Sequence, residues 1–157
     1  MFVVAYNDMQ RHPRGVPHQI RRKRPETRLT QAMVRILLAE DDDSMRTYLA
    51  RALERSGYDV VAVATGAQAV PYIDSEPFDL LLTDIVMPEM DGIELAQHAA
   101  AVAPDTRIMF ITGFAAVTLK AGKAVPQAKV LSKPFHLRDL VLEIDRIFGS
   151  NSMTGLN

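Results

Sequence analysis

The sequence predicts an α/β domain with a five-stranded parallel sheet and helices on both faces. Short apolar runs without alternation between faces recur along residues 34–148, which is the pattern of strands buried on both sides. A helical stretch follows each run, and strand-then-helix repetition is satisfied by parallel pairing through helical crossovers. The conspicuous polar residues stand just after the runs, at the strand ends where open α/β sheets place ligands.

Residues 35–39, RILLA, form the first strand, followed directly by Glu40, Asp41, Asp42 and Asp43. Ser44 can cap the next helix, in which Met45, Tyr48, Leu49, Ala52 and Leu53 recur at helical spacing before Gly57 ends it. The second strand is expected over 58–63 and a short helix over 66–74, where Pro71 predicts a kink or a late start. The third strand, over 79–83 with Leu80, Leu81 and Leu82, delivers Asp84 to its carboxyl end. Met87, Pro88, Met90, Asp91 and Gly92 then read as a shaped turn, with proline fixing one φ and glycine free to adopt what bulkier residues resist. A helix over 93–101 stops near Pro104, and RIMFI, 107–111, is the fourth strand, ending in Thr112 and Gly113. A weak helix over 114–121 precedes the fifth strand, 128–131, which ends in Ser132, Lys133 and Pro134. Leu137, Leu140, Val141, Ile144 and Ile147 give the last helix, 136–148, one apolar face.

A chain of 157 residues suits one compact domain with a tail. Charge is unevenly spread: residues 1–33 hold seven Lys/Arg against Asp8 and Glu26, while the remainder holds eleven against seventeen acids. Pro13, Pro17 and Pro25 interrupt that first segment beside Arg21, Arg22, Lys23 and Arg24, so residues 1–33 read as a disordered basic extension. Met33 is a possible natural start. The functional alternative is an arm for nucleic acid or an anionic surface. Residues 149–157 read as a flexible tail. The lack of cysteine excludes disulfides and thiolate metal sites and suits a reducing cytoplasm. No apolar run approaches the roughly 20 residues of a membrane span, so no membrane partner is expected.

Because every strand of a parallel sheet opens its carboxyl end on the same side, Glu40, Asp41, Asp84, Thr112 and Lys133 should converge. Three carboxylates, a hydroxyl and an ammonium suit a hard divalent cation and a phosphoryl group. Mg²⁺ could be held by Asp41, Asp84 and a loop carbonyl near Val86, with Glu40 acting through water. Asp84 could then attack phosphorus to form an acyl phosphate, while Lys133 neutralises phosphoryl charge and Thr112 donates a hydrogen bond. Each group also has a structural explanation: a strand-end aspartate can cap a helix, acids suit a helix amino end, and Thr112 or Lys133 alone can be a strand-end hydroxyl or a surface lysine. His136 reads as structural or solvent-facing. Met87 and Met90 read as packing residues, since soft sulfur suits neither Mg²⁺ nor phosphate.

The strings AEDD, LLTDIVMPEMDG, ITG and SKPF, in this order and spacing, resemble the receiver domain of two-component response regulators. The resemblance covers about 34–148. It implies a flavodoxin-like (βα)5 fold with strand order 2-1-3-4-5, phosphotransfer with Mg²⁺ to Asp84 from a histidine kinase or histidine phosphotransfer protein, and a cis bond between Lys133 and Pro134. The longer strings AEDDDSMR, LLTDIVMPEMDGIELA, IMFITGFAA and KVLSKPFHLRDL are similar to a single-domain branch whose unphosphorylated form assists the ClpXP protease. Most receivers carry a switching aromatic residue three positions before the lysine; here Val130 stands there. A DNA-binding regulator using the basic arm and another single-domain phosphorelay or phosphate-sink protein are alternatives. An aspartate-nucleophile phosphatase would need a second Asp where Val86 stands.

Overall fold

The computed structural model describes residues 33–149. The expectations for 1–33 and 149–157 therefore fall, apart from Met33 and Gly149, outside the described residues. Strands β1 (Arg35–Ala39), β2 (Asp59–Val63), β3 (Leu80–Asp84), β4 (Arg107–Thr112) and β5 (Lys129–Ser132) alternate with helices α1 (Asp43–Arg55), α2 (Gly66–Ser75), α3 (Gly92–Val102), α4 (Ala115–Ala124) and α5 (Leu137–Gly149). All neighbouring strands pair in parallel, in the order β2-β1-β3-β4-β5. The five-stranded, doubly covered sheet is the expected one.

Successive side chains of a strand point to opposite faces, so the continuous apolar runs feed two cores. Leu37, Leu81 and Phe110 join Ala69, Ile73, Leu95, Ala96 and Ala99 beneath α2, α3 and α4. Ile36, Leu38, Leu80, Leu82, Met109 and Ile111 meet Leu49, Leu53, Leu140 and Ile144 from α1 and α5. Every residue of β3 is buried, and each leucine so buried contributes about 2 kcal/mol. Asp84 thus ends the one described strand that is buried along its whole length. At the other end of the sheet, Arg35 pairs with Asp59 and Glu76 and lies 4.6 Å over the Phe78 ring.

Several helix ends differ from expectation. The α1 cap is Asp42, whose carboxylate accepts the Met45 N–H at 2.7 Å, and not Ser44, which lies inside the helix. Helix α2 starts at Gly66 under a Thr65 cap and continues through Pro71 to Ser75, with no late start. Burial of Ala69 and Ile73 anchors it, while Pro71 faces solvent. Helix α4 begins one residue later than expected and extends to Ala124. The Lys133–Pro134 bond is cis, as the resemblance implied.

Candidate functional site

The acidic residues reach the sheet's carboxyl edge by continuing the strands. Glu40 follows β1 and its N–H donates to the Val63 carbonyl at 3.1 Å, extending the pairing with β2 by one bond. Asp84 is the last residue of β3. Lys133 follows β5, with its N–H donating to the Thr112 carbonyl at 2.7 Å. One carboxylate oxygen each from Glu40, Asp41 and Asp84 lies within 4.8 Å of the others. Lys133 Nζ donates to Asp84 Oδ2 at 3.0 Å and to Glu40 Oε2 at 3.4 Å. Four of the predicted residues are therefore in one cluster.

Their exposure differs in a useful way. Glu40 is 1% exposed and Asp84 8%, whereas Asp41 is open to solvent. Burial lifts the Glu40 carboxyl above its ordinary value, and the Asp84 charge adds to this, although the Asp42 N–H and Lys133 oppose it. Burial pulls Lys133 down, but its bonds to Asp84 and Glu40 outweigh that and leave it raised. The lysine is thus a firmly held cation. Repulsion among three close carboxylates also favours adding positive charge at the exposed side.

Thr112 reaches the same edge and is 1% exposed. Its hydroxyl oxygen accepts the Phe114 N–H at 3.1 Å; no bond from it to the carboxylates is formed. Val86 stands in the β3–α3 loop, two residues after Asp84, with its side chain 47% exposed. His136 is exposed at the start of α5. Met87 is buried in the α2–α3–α4 core, and Met90 packs against it.

The loop after Asp84 is shaped differently from the turn expected there. Its left-handed residue is Glu89, at φ 66°. Gly92 is required for another reason: a Cβ there would lie 2.0 Å from the Asp84 carbonyl oxygen. Its N–H donates to the Ile85 carbonyl at 2.8 Å, while Asp91 caps α3 by accepting the Glu94 N–H at 2.8 Å. A Cβ on Gly66 would meet the Met90 carbonyl oxygen at 2.9 Å. The loop is pressed between β3 and α2.

Sequence reasoning missed Arg46, whose guanidinium donates to the Glu40 carbonyl at 3.0 Å and to Asp43 at 2.6 Å. A signal was present: a cation in the first turn of a helix opposes the macrodipole unless a local acceptor holds it. Phe114 was also missed as a bonding partner of Thr112, because its contribution is a backbone N–H. As for a metal, the carboxylates of Glu40, Asp41 and Asp84 are hard oxygen donors with one solvent-open member, a set that fits a small divalent cation keeping part of its water.

The chain belongs to the response regulator receiver domain family, whose sequence model matches residues 36–145. This is a family of signalling proteins of two-component systems and not a catalytic family; its members bind Mg²⁺ at an acidic pocket, and membership implies a histidine kinase partner. Within it the chain is similar to the response regulator receiver protein CpdR of Brucella abortus (strain 2308), with 62% identity over 116 residues, covering 73% of this chain and 97% of that protein. It is also 34% identical over 113 residues to the sensor kinase CckA of the same strain, matching 69% of this chain but only 12% of that kinase. Among solved structures, a CheY-like receiver domain protein from Methanospirillum hungatei JF-1 superposes with a TM-score of 0.71 at 30% identity, covering 79% of this chain and all 100% of that one. Among the described residues no helix is long and apolar enough to cross a membrane.

Proposed function

We propose that this chain is a single-domain response regulator that accepts a phosphoryl group on Asp84 and thereby changes its binding to a partner protein. The observation that carries this reading is the bridging of Asp84 by Lys133 beside the carboxylates of Glu40 and Asp41. Mg²⁺ would be held by Asp41, Asp84 and the Val86 carbonyl, with Glu40 acting through water, and would supply charge neutralisation at the phosphoryl oxygens. Asp84 attacks phosphorus of a phosphohistidine donor; the new O–P bond forms as the N–P bond breaks, and the imidazole leaves and takes a proton. Lys133 already lies 3.0 Å from the attacking carboxylate, where it can follow charge onto the transferring group. Thr112 donates its hydroxyl to a phosphoryl oxygen.

The donor is a histidine kinase or histidine phosphotransfer protein, and the likeness to part of CckA supports a kinase of that class. The likeness to CpdR over nearly that protein's whole length, with the sequence strings shared with the branch that assists ClpXP, supports regulated proteolysis as the output. In this reading residues 34–148 are the receiver, 1–33 a basic extension and 149–157 a tail of a cytoplasmic protein. It is a phosphoacceptor rather than an enzyme acting on a separate substrate, and it needs neither nucleic acid nor a membrane.

The test is labelling with a small acyl-phosphate donor in the presence and absence of Mg²⁺. Wild type should label only with Mg²⁺, and Asp84→Asn, nearly isosteric, should stay unlabelled while keeping its fold. Labelling of the Asn variant at wild-type level would refute the assignment. Retention of ClpX by wild type and by Asp84→Ala, but not by the phosphorylated wild type, is expected for the output; equal retention in all states would exclude phosphorylation control of it. The DNA-binding alternative predicts salt-sensitive retention of the full chain on DNA.

A further inference from the structure

Asp41 is the exposed member of the carboxylate cluster, and among the described residues no hydrogen bond or ion pair fixes its side chain. Its place is therefore set by its backbone. The two peptide groups that flank it are both held. On one side the Asp42 N–H donates to Glu40 Oε1 at 3.2 Å. On the other, Arg46 Nη1 donates to the Glu40 carbonyl at 3.0 Å. Because a peptide group is planar, orienting that carbonyl also orients the Asp41 nitrogen and Cα beyond it. Arg46 is anchored in turn: its Nη2 donates to Asp43 Oδ1 at 2.6 Å and its backbone N–H to the Asp42 carbonyl at 2.8 Å.

Charge alone does not explain this guanidinium. It is only 22% exposed and belongs to the first turn of α1, the positive end of the helix macrodipole. It is not the counter-ion of the buried Glu40 carboxylate, whose two oxygens take the Asp42 N–H and the Lys133 ammonium. Its ion pair is with Asp43, whose side chain is 88% exposed, and such surface pairs contribute little. A fixed positive charge beside the cluster also opposes any cation bound there. What the guanidinium does supply is shape: two separate N–H donors of one rigid plane reach a carbonyl and a carboxylate together, which the single nitrogen of a lysine does not reproduce.

We infer that Arg46 is a positioning residue for Asp41: by holding the peptide group between Glu40 and Asp41 it keeps the Asp41 carboxylate close to those of Glu40 and Asp84, and so raises the affinity of the cluster for Mg²⁺ in spite of its own charge. The inference rests on the reading of that cluster as the Mg²⁺ site.

Calorimetric titration of the full chain with Mg²⁺ separates position from charge, because the two predict different outcomes. Arg46→Lys keeps the charge and loses the paired donors, whereas Arg46→Met loses both. If position governs, both variants should bind Mg²⁺ on the order of tenfold more weakly than wild type, as expected when a group that orients a metal ligand is lost. Nitrogen-15 relaxation without the ion should then show the Asp41 amide more mobile in both, with the Leu140 amide in α5 unchanged. If charge governs, Arg46→Lys binds like wild type and Arg46→Met more tightly. Either of those results overturns the inference, and so does weaker binding with an Asp41 amide as ordered as in wild type. Should Arg46→Met fail to fold, Arg46→Lys decides alone. No Mg²⁺ uptake by wild type itself would overturn the reading of the cluster, and the inference with it.

Discussion

Lys133 Nζ lies 3.0 Å from Asp84 Oδ2, so the ammonium delivered by the end of β5 rests against the carboxylate delivered by the end of β3. The same nitrogen reaches Glu40 at 3.4 Å. Truncation in Lys133→Ala leaves the 1%-exposed Glu40 and the nearly buried Asp84 without that cation. Because the lysine is itself partly exposed, the loss should be about 1–3 kcal/mol rather than the full penalty of a deeply buried pair. Millimolar Mg²⁺ should recover much of it, so that the rise in Tm on adding the ion is larger for the variant than for wild type. Scanning calorimetry with and without EDTA measures this, and equal rises would mean that no cation takes the lysine's place.

Gly92 is the tightest point of the site. An added methyl would stand 2.0 Å from the Asp84 carbonyl oxygen, which is backbone and cannot turn aside. Gly92→Ala should therefore cost about 2–3 kcal/mol and slow phosphoryl labelling of Asp84. Gly113→Ala is the control, since its methyl meets only the Lys133 Cβ at 3.9 Å; it should be neutral or stabilising by about 1 kcal/mol through the unfolded state. Denaturant midpoints of the two variants test the contrast, and similar values would show that the loop gives way at Gly92.

What the sequence revealed and what it hid divide along physical lines. RILLA, the leucines of β3 and RIMFI are apolar on both parities because both faces of the sheet are covered, so the strands and the side on which Glu40, Asp84 and Lys133 emerge were legible. The parallel alternation was enough to gather those groups before any coordinates. The shape of the loop after Asp84 was not, since the need for glycine at 92 arises where two separated backbone segments meet, and the positive φ at Glu89 carries no residue-type signal. Nor could the chain announce the bond from Phe114 to Thr112, which is made by a main-chain N–H that every residue but proline has. Pro71 misled for a related reason: the Thr65 cap and the buried Ala69 and Ile73 hold α2 together across it.

Asp42, Asp43 and Ser44 are all acceptable caps by residue type, and the structure selects Asp42. Its carboxylate accepts the Met45 N–H at 2.7 Å, while Ser44 lies within the first turn. Asp42→Ala should thus destabilise by about 1 kcal/mol. Ser44→Ala should stay within about 0.5 kcal/mol of wild type. Urea titration of the pair checks the assignment, and a larger loss from the serine variant would move the cap.

Tyr58 gives the fold an alkaline limit. Half-buried burial against the α1–α5 core raises its phenol above the ordinary value of 10.0, and the hydroxyl's hydrogen bond to the Asp145 carboxylate and that group's charge push in the same direction. Below pH 10 both folded and unfolded chains keep the phenolic proton, and the contribution to stability is fully present. As pH rises past 10 the unfolded chain loses the proton while the folded one retains it, so stability falls toward the raised folded-state value. Tyr58→Phe has no proton to lose. Its stability deficit relative to wild type should therefore narrow between pH 9 and pH 11, read as urea midpoints at each pH, and a deficit that stays constant over that interval would show that Tyr58 titrates alike in both states.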